Sequence, residues 1–138
     1  FEQEPAAELL PVAQEQGIGV IVRVAFDEGA LAGRFTGQTK FGPEDFRSRY
    51  FAGDRLERTL KRVAEVEADI KGSGYTLPQA ALKFVLASGA VSTVIPGIRS
   101  VAQAHANTAV SDLPGMTEAL QQRLHRHNWP RGFWYSGK

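Results

Sequence analysis

Hydrophobic and polar positions along the chain alternate between two short β-branched runs and several longer stretches with helical periodicity. Residues 18–24 (IGVIVRV) and 91–95 (VSTVI) are the β-branched runs, and such runs are typical of buried strands. The order predicted from the pattern is helix, strand, loop, helix, helix, strand, helix, helix, which favours a parallel sheet. The predicted helices cover residues 4–16, 54–71, 76–88, about 100–110 and about 117–127. Residues 25–53 between the first strand and the second helix are predicted to be irregular.

Local signals mark the beginnings of three of these helices. The spacing of a capping box, an N-cap side chain followed three residues later by Glu or Gln, occurs at Asp54–Glu57, Thr76–Gln79 and Ser100–Gln103. The first helix contains Pro11, which should cost one backbone hydrogen bond because proline has no N–H.

Two parallel strands do not form a sheet that is stable by itself. Parallel strands are normally covered on both faces. Either a partner therefore supplies further strands, or the chain is a piece of a larger α/β barrel or open sheet. The chain begins FEQEPAAELL without an initiator methionine, which favours the second interpretation. Residues 1–138 show no internal boundary, so we expect one portion of a single domain.

Composition narrows the classes of function. A net charge of +1 gives no strong field for nucleic acid or for an anionic membrane. The absence of cysteine excludes a disulfide scaffold and thiolate chemistry, and it fits a cytoplasmic setting. No apolar run approaches the roughly 18 residues that a membrane span needs. We therefore expect neither nucleic acid nor membrane as a partner.

The second strand runs into a stretch with the composition of a phosphate site. Pro96 ends the strand, and Gly97 lets a ligand approach the backbone. Ser100 is a predicted N-cap, so unpaired N–H groups of the next helix point outward beside the cationic Arg99. Pro-Gly turns and Ser-x-x-Gln caps are also common without any ligand, so an ordinary turn is the alternative.

Two motifs in this order resemble the aldo-keto reductase family. The stretch VSTVIPGIRSVAQAHANTA resembles the family's last strand and following helix, where a segment of the type IPG-x-R-S-x-x-Q-x-x-E-N binds the 2′-phosphate and adenine of NADPH. GIGVIVRVAFDEGALAGRF is similar to the seventh strand and its loop, and EPAAELLPVAQEQG is similar to the sixth helix. The resemblance covers nearly the whole chain.

The resemblance implies an α/β fold, with this chain as the C-terminal portion of a (β/α)8 TIM barrel. It further implies an NADP(H)-dependent enzyme that reduces aldehyde or ketone groups of small molecules. The family's catalytic Asp, Tyr, Lys and His lie on earlier strands, and nothing here matches them. The remaining N-terminal part of the barrel would then be needed for catalysis. A non-catalytic NADP(H)-binding or regulatory relative, and an unrelated phosphate-binding half-domain, are the alternatives.

The resemblance also implies roles for eleven residues. After the first strand, the predicted cofactor contacts are Arg23 at the nicotinamide, Phe26, Glu28 and Gly29 along the pyrophosphate, and Leu31 in the pocket wall. After the second strand, they are Gly97 and Ile98 through backbone, Arg99 and Ser100 at the 2′-phosphate, and Gln103 and Asn107 at the adenine.

The chain departs from the family pattern at four positions. Arg23 replaces the aromatic residue that usually stacks on the nicotinamide, and Val24 and Ala25 replace Ser-Pro. Ala106 replaces the glutamate before Asn107. The replacements remove a hydroxyl near the pyrophosphate and one contact to the adenine. They leave the substrate undefined.

Two pairs of neighbouring polar side chains have less specific interpretations. His125 and His127 point roughly 200° apart on a helix, which is poor spacing for a metal. Asp27 and Glu28 are adjacent carboxylates, which are usually solvated.

Two aromatic segments have more than one interpretation. The segment 45–51 (DFRSRYF) is interpreted as a lid or as packing. The segment 128–135 (NWPRGFWY) is interpreted as a border of the substrate pocket or as packing of the barrel.

Overall fold

In a computed structural model, which describes residues 1–132 and 134, the chain forms two strands and six α-helices. The elements are α1 (Leu9–Glu15), β1 (Val20–Arg23), α2 (Arg47–Tyr50), α3 (Arg55–Ile70), α4 (Leu77–Leu86), β2 (Val91–Ile95), α5 (Val101–Thr108) and α6 (Glu118–His125). Short 3-10 segments occupy Glu4–Ala6, Asp27–Ala32 and Ala109–Asp112. The predicted order of elements is confirmed, and the stretch predicted to be irregular contains a 3-10 turn and α2.

The strands β1 and β2 pair side by side and run parallel, as predicted. Their register places Arg23 opposite Ile95, so both strands end at the same edge. An irregularity lies between Val20 and Ile21. The segments that follow the two strands therefore leave the sheet from one edge.

Helices cover one face of this two-stranded sheet. Val22 faces α4 across a cavity that Phe84 and Val85 also line. On the other face, within the part of the chain that the structure describes, Ile21 and Ile95 are 64% and 58% exposed. An apolar strand face with this exposure is unusual in a parallel sheet, because such sheets are covered on both sides.

The hydrophobic core lies between helices α3, α4 and α6. Helix α3 contributes Val63, Val66 and Ile70, which recur at helical spacing and are buried. Leu56 of the same helix packs at the edge of this core and is half-buried. The other buried members are Ala30, Leu31, Tyr50, Phe51, Leu77, Ala80, Met116, Leu120, Leu124 and Trp134.

The first predicted helix is divided in two. A 3-10 turn covers Glu4–Ala6, and α1 begins only at Leu9. Pro11 is therefore the third residue of α1, where an N–H would have no intrahelical partner, so the predicted loss of a hydrogen bond is wrong. The ring of Pro11 would clash with the carbonyl of Ala7 in a continuous helix, which explains why the helix does not extend further back.

The capping boxes at the beginnings of α3 and α4 have different outcomes. At α4 the predicted box is present: the Thr76 N–H donates to Oε1 of Gln79 at 2.8 Å. At α3 the prediction is wrong, because Asp54 makes no side-chain cap hydrogen bond. Its backbone is nearly helical (φ −88°, ψ 0°), whereas an N-cap side chain reaches the N–H groups from an extended backbone. The Asp54 carboxylate instead lies 3.9 Å from Arg58.

Candidate functional site

The candidate site lies where β1 and β2 end. After β2, Gly97 stands in open space: a Cβ added there would meet no heavy atom within 4 Å. Ile98, Arg99 and Ser100 are exposed, and Ile98 keeps 52% of its surface. The backbone after Pro96 is therefore accessible to a ligand, as the sequence predicts.

The N-terminus of α5 is capped by Ser100. The Gln103 backbone N–H donates to Oγ of Ser100 at 3.2 Å, which confirms the predicted cap. The other half of the predicted box is displaced by one residue, because Oε1 of Gln103 accepts from the Arg99 backbone N–H at 2.6 Å. The side chain of Gln103 thereby fixes the backbone that carries Arg99.

The guanidinium of Arg99 forms no hydrogen bond or ion pair with residues 1–132 or 134. Its charge nevertheless acts on a neighbouring loop. Hydrogen bonds from Arg47 lower the pKa of Asp45 to about 2, and the positive charge of Arg99 adds to this effect. Segment 45–51 thus brings a carboxylate near the candidate phosphate site. No local signal in the sequence indicates this proximity.

Helix α5 carries an unsatisfied polar group. The side-chain nitrogen of Asn107 is buried and has no hydrogen-bond partner among the described residues. Buried amides nearly always have a partner, and leaving one without costs about 1–3 kcal/mol. Asn107 is therefore a donor that an acceptor from outside the described residues would satisfy.

The turn after β1 has an unusual backbone. Val24, Asp27 and Glu28 adopt φ of 59°, 51° and 56°, and Gly29 adopts 101°. Non-glycine residues at such angles are uncommon, and three within five positions form a strained turn. The Phe26 carbonyl organises the turn by accepting the N–H groups of Gly29 and Leu31, each at 3.0 Å.

The residues predicted at this turn have different surroundings. Gly29 lies against the ring of Phe35, 3.1 Å from the position of a Cβ. Leu31 is buried in the hydrophobic core, and with the exposed Arg23 it lines a cavity of about 210 Å³ between β1 and α4. The lining of this cavity includes neither Arg99 nor any residue of α5, so the cavity and the candidate phosphate site are separate.

Asp27 is not solvated, contrary to the prediction for adjacent carboxylates. It is 7% exposed and accepts from Nη1 of Arg131 at 3.1 Å, while Nη2 of Arg131 bonds its other oxygen. Arg131 is only 1% exposed. Burial opposes the charge of Arg131, but the hydrogen bond and the charge of Asp27 outweigh burial and raise the pKa of Arg131. The two partners are 104 positions apart, so no local pattern could reveal the pair.

The aromatic segments act in packing. Tyr50 and Phe51 of segment 45–51 belong to the core. In segment 128–135, Trp134 is buried, and Trp129 stacks against Arg131, with 4.4 Å from the guanidinium carbon to the ring centroid. The remaining positions of the tail, 133 and 135–138, lie outside the described residues.

The two histidines of α6 and its end serve different neighbours. Nδ1 of His125 lies 2.8 Å from Oε1 of Gln3. Nε2 of His127 lies 2.8 Å from Asp69, and this hydrogen bond lowers the pKa of the Asp69 carboxyl. Across residues 1–132 and 134, no three His, Asp or Glu side chains are grouped as metal ligands would be.

Two parallel strands end at one edge and are followed there by a strained turn and a serine-capped helix, which is the architecture of part of an α/β protein. In such folds ligands bind at the carboxyl ends of the strands. The sequence profile of the aldo/keto reductase family matches residues 1–126. The chain belongs to this family, which excludes the alternative of an unrelated half-domain.

Known relatives agree with this assignment. The chain is 26% identical over 113 residues to aldo-keto reductase str7 of Strobilurus tenacellus. That alignment covers 80% of this chain and 34% of the relative. Glycerol dehydrogenase AKR11B4 of Gluconobacter oxydans superposes with a TM-score of 0.77 at 25% identity, covering 95% of this chain and 42% of that structure. The apo form of aldo-keto reductase AKR11C1 of Bacillus halodurans superposes with a TM-score of 0.66 at 23% identity, covering 92% of this chain and 40% of that structure.

These superpositions show that the two strands and their helices are a portion of a TIM barrel, as the resemblance implied. The chain spans about a third of the curated relative and about two fifths of the solved structures. None of the helices within the described residues is long and apolar enough to cross a membrane.

Proposed function

We propose that the chain is the cofactor-binding C-terminal portion of an NADP(H)-dependent oxidoreductase that reduces aldehyde or ketone groups of small molecules. Membership of the aldo/keto reductase family supports the reaction class. The observation that carries the choice of cofactor is the exposed Arg99 guanidinium, which is unpaired among the described residues and precedes the Ser100-capped α5. A cation beside the N–H groups of a helix N-terminus is suited to a phosphate.

In this proposal the end of β2 binds the adenosine half of the cofactor. Arg99 and the first N–H groups of α5 bind the 2′-phosphate, because both present positive charge at the same place. Gly97 and Ile98 lie along the cofactor through their accessible backbone. Gln103 and Asn107 face the adenine, and the unsatisfied Asn107 amide supplies a donor.

The end of β1 binds the other half. Phe26, Glu28 and Gly29 follow the pyrophosphate through the backbone of the strained turn. Arg23 lies beside the nicotinamide, since it is exposed at the last position of β1. Leu31 acts from the core, as part of the wall behind the turn. When bound, the cofactor supplies the hydride, while these residues position it.

The acid that protonates the carbonyl oxygen is proposed to come from the rest of the barrel. No residue of this chain matches the catalytic Asp, Tyr, Lys or His expected from the family. The whole protein would join this portion to the earlier strands and bind a small carbonyl substrate between them.

The substitution Arg99→Ala in the whole protein tests the proposed cofactor. A hydrogen bond to a charged group contributes about 1.5–3 kcal/mol, so NADPH affinity should fall roughly 10- to 150-fold. NADH lacks the 2′-phosphate, so its affinity should change little. Fluorescence titration with both cofactors measures the two constants, and added salt should reduce the NADPH effect.

Arg126→Ala is the matched control, because Arg126 is an exposed arginine that pairs with Asp69 at 3.6 Å, at the end of α6 rather than at the candidate site. It should leave both affinities unchanged. Equal losses of NADPH and NADH in Arg99→Ala would contradict the proposed phosphate contact. Tight NADPH binding by a wild-type protein that reduces no aldehyde or ketone would instead favour the non-catalytic relative.

A further inference from the structure

We infer that Arg131 is a positioning residue for the cofactor: through its buried ion pair with Asp27, the C-terminal segment holds the turn after β1 in the shape that receives the pyrophosphate. The inference rests on the function proposed above. It assigns to the tail a role at the cofactor turn rather than at the substrate pocket. Two independent observations carry it, the strained backbone of the turn and the burial of the pair.

The strained backbone needs an external support. Asp27 and Glu28 are left-handed, and so is Val24 at the end of β1. Residues in such conformations persist when surrounding contacts hold them there. The hydrogen bonds within the turn are all between backbone groups: the Asp27 N–H donates to the Val24 carbonyl, and the Gly29 and Leu31 N–H groups donate to the Phe26 carbonyl. None of these bonds involves the Asp27 side chain. That side chain is bound from the tail.

The contact from the tail is specific. Arg131 bonds both oxygens of Asp27 in a parallel pair, which fixes orientation as well as distance. A buried pair of this kind is costly to break from one side, because the remaining charge has no water around it. The turn is therefore restrained at its centre, at the residue between Phe26 and Glu28.

Aromatic rings surround the side chain of Arg131. Its guanidinium lies among the rings of Phe1, Trp129 and Trp134, with carbon-to-centroid distances of 5.2, 4.4 and 5.1 Å. Trp134 in turn contacts Arg55 of α3, at 5.0 Å. The tail thus adds a second connection between α3 and the cofactor turn, beside the direct packing of Ala30 and Leu31 in the core, and it is the connection that holds the Asp27 side chain.

A double-mutant cycle in the whole protein tests the inference with Arg131→Met, Asp27→Asn and the double variant. Each single change should raise the dissociation constant for NADPH roughly 10-fold, and the double variant should be no worse than either single, because both act through one contact. At saturating NADPH, the KM for a carbonyl substrate should not change. NADH should be affected as strongly as NADPH, since the pyrophosphate is common to both.

A second measurement does not need the cofactor. Arg34 and Lys40 are exposed just after the turn, so trypsin cleavage there reports how firmly the segment is held. The free Arg131→Met protein should be cleaved several-fold faster at these sites than the wild type. Arg126→Met is the control, because it also removes an arginine from the end of α6 or the segment after it, and it should be cleaved at the wild-type rate.

The outcomes separate the inference from the proposed function. Leu120→Ala removes a buried side chain of α6 without touching the ion pair, and it measures what general destabilisation does to cofactor affinity. If Leu120→Ala weakens NADPH as much as Arg131→Met does, the role of Arg131 is merely structural and the inference is wrong. Unchanged NADPH affinity in Arg131→Met, or additive losses in the double variant, would also overturn it. A wild-type protein that binds neither cofactor would overturn the proposed function, and the positioning role with it.

Discussion

Asp45 and Arg47 form the ion pair on the loop that approaches Arg99. The Nε of Arg47 donates to Oδ1 of Asp45 at 2.9 Å, and the Arg47 backbone N–H donates to the same oxygen at 3.0 Å. Hydrogen bonds to its charged form lower the pKa of Asp45 to about 2, from an ordinary value of 3.8. The pair therefore stabilises the folded state above about pH 3.8, and this contribution is lost as the pH falls from 3.8 towards 2.

The substitution Arg47→Gln should return the pKa of Asp45 most of the way to 3.8, because it removes the first and largest cause of the shift. Carboxyl carbon NMR titration of the whole protein measures this pKa. Arg62→Gln changes a half-buried arginine of α3 that pairs with Glu65, and it should leave the pKa of Asp45 near 2. A wild-type Asp45 that titrates at its ordinary value would show that the pair does not persist in solution.

At the residue scale, contacts between near neighbours were predictable and distant ones were not. The Ser100 cap follows from Ser and Gln three positions apart, a spacing that the helix itself brings together. The Arg131–Asp27 pair joins residues 104 positions apart, and only the complete fold brings them together. Asp54 shows that spacing alone is insufficient, because its backbone conformation, set by the preceding loop, turns its carboxylate to Arg58.

Among the elements, the turn after β1 depends most on a single glycine. Gly29 has φ of 101°, and a Cβ there would lie 3.1 Å from the ring of Phe35. An alanine would be disfavoured twice, by its backbone angle and by this contact.

Gly29→Ala should therefore lower the free energy of unfolding of the whole protein by about 1–3 kcal/mol and weaken binding of both nicotinamide cofactors. Urea denaturation followed by intrinsic fluorescence measures the first effect. Gly37→Ala is the control, because a Cβ added at that glycine would meet no heavy atom within 4 Å, and it should change stability by less than about 0.5 kcal/mol. Equal stability of the two variants would mean that the turn accommodates a side chain.

The elements themselves follow from periodicity wherever one face of the element is buried. Helix α3 matches its prediction to within one residue at each end, because its apolar stripe packs on the core. Strand β1 is shorter than predicted, since Val24 is left-handed and ends the extended backbone. The division of the first helix was not predicted. Proline is tolerated in the first turn of a helix and also interrupts a continuous helix, so the presence of Pro11 alone does not decide between the two.

The whole molecule is an open portion of a barrel. One strand face carries Ile21 and Ile95, both more than half exposed, and Leu9, Val12 and Ile18 are exposed nearby in the chain. Exposed apolar faces and unpaired strand edges favour association. The parallel order was predictable from the alternation of strands and helices, whereas the contact between the tail and the first turn required the three-dimensional structure.

Residues 1–138 produced alone should therefore be poorly stable or should associate. Sedimentation velocity and thermal melting test this, with the whole protein as the control. A monomeric piece with a sharp cooperative transition would contradict the expectation, and would show that the helices of this chain suffice for an independent fold.

The ion pair between Asp27 and Arg131 also has a consequence for synthesis on the ribosome. Chains elongate at roughly 5–20 residues per second. Asp27 is therefore made about 5–20 seconds before Arg131, given the 104 positions between them. During that interval the turn after β1 lacks the contact that restrains it. On the proposed function, a nascent chain that already carries both strands but lacks Arg131 would bind a dinucleotide weakly, so firm cofactor capture would follow the emergence of residue 131.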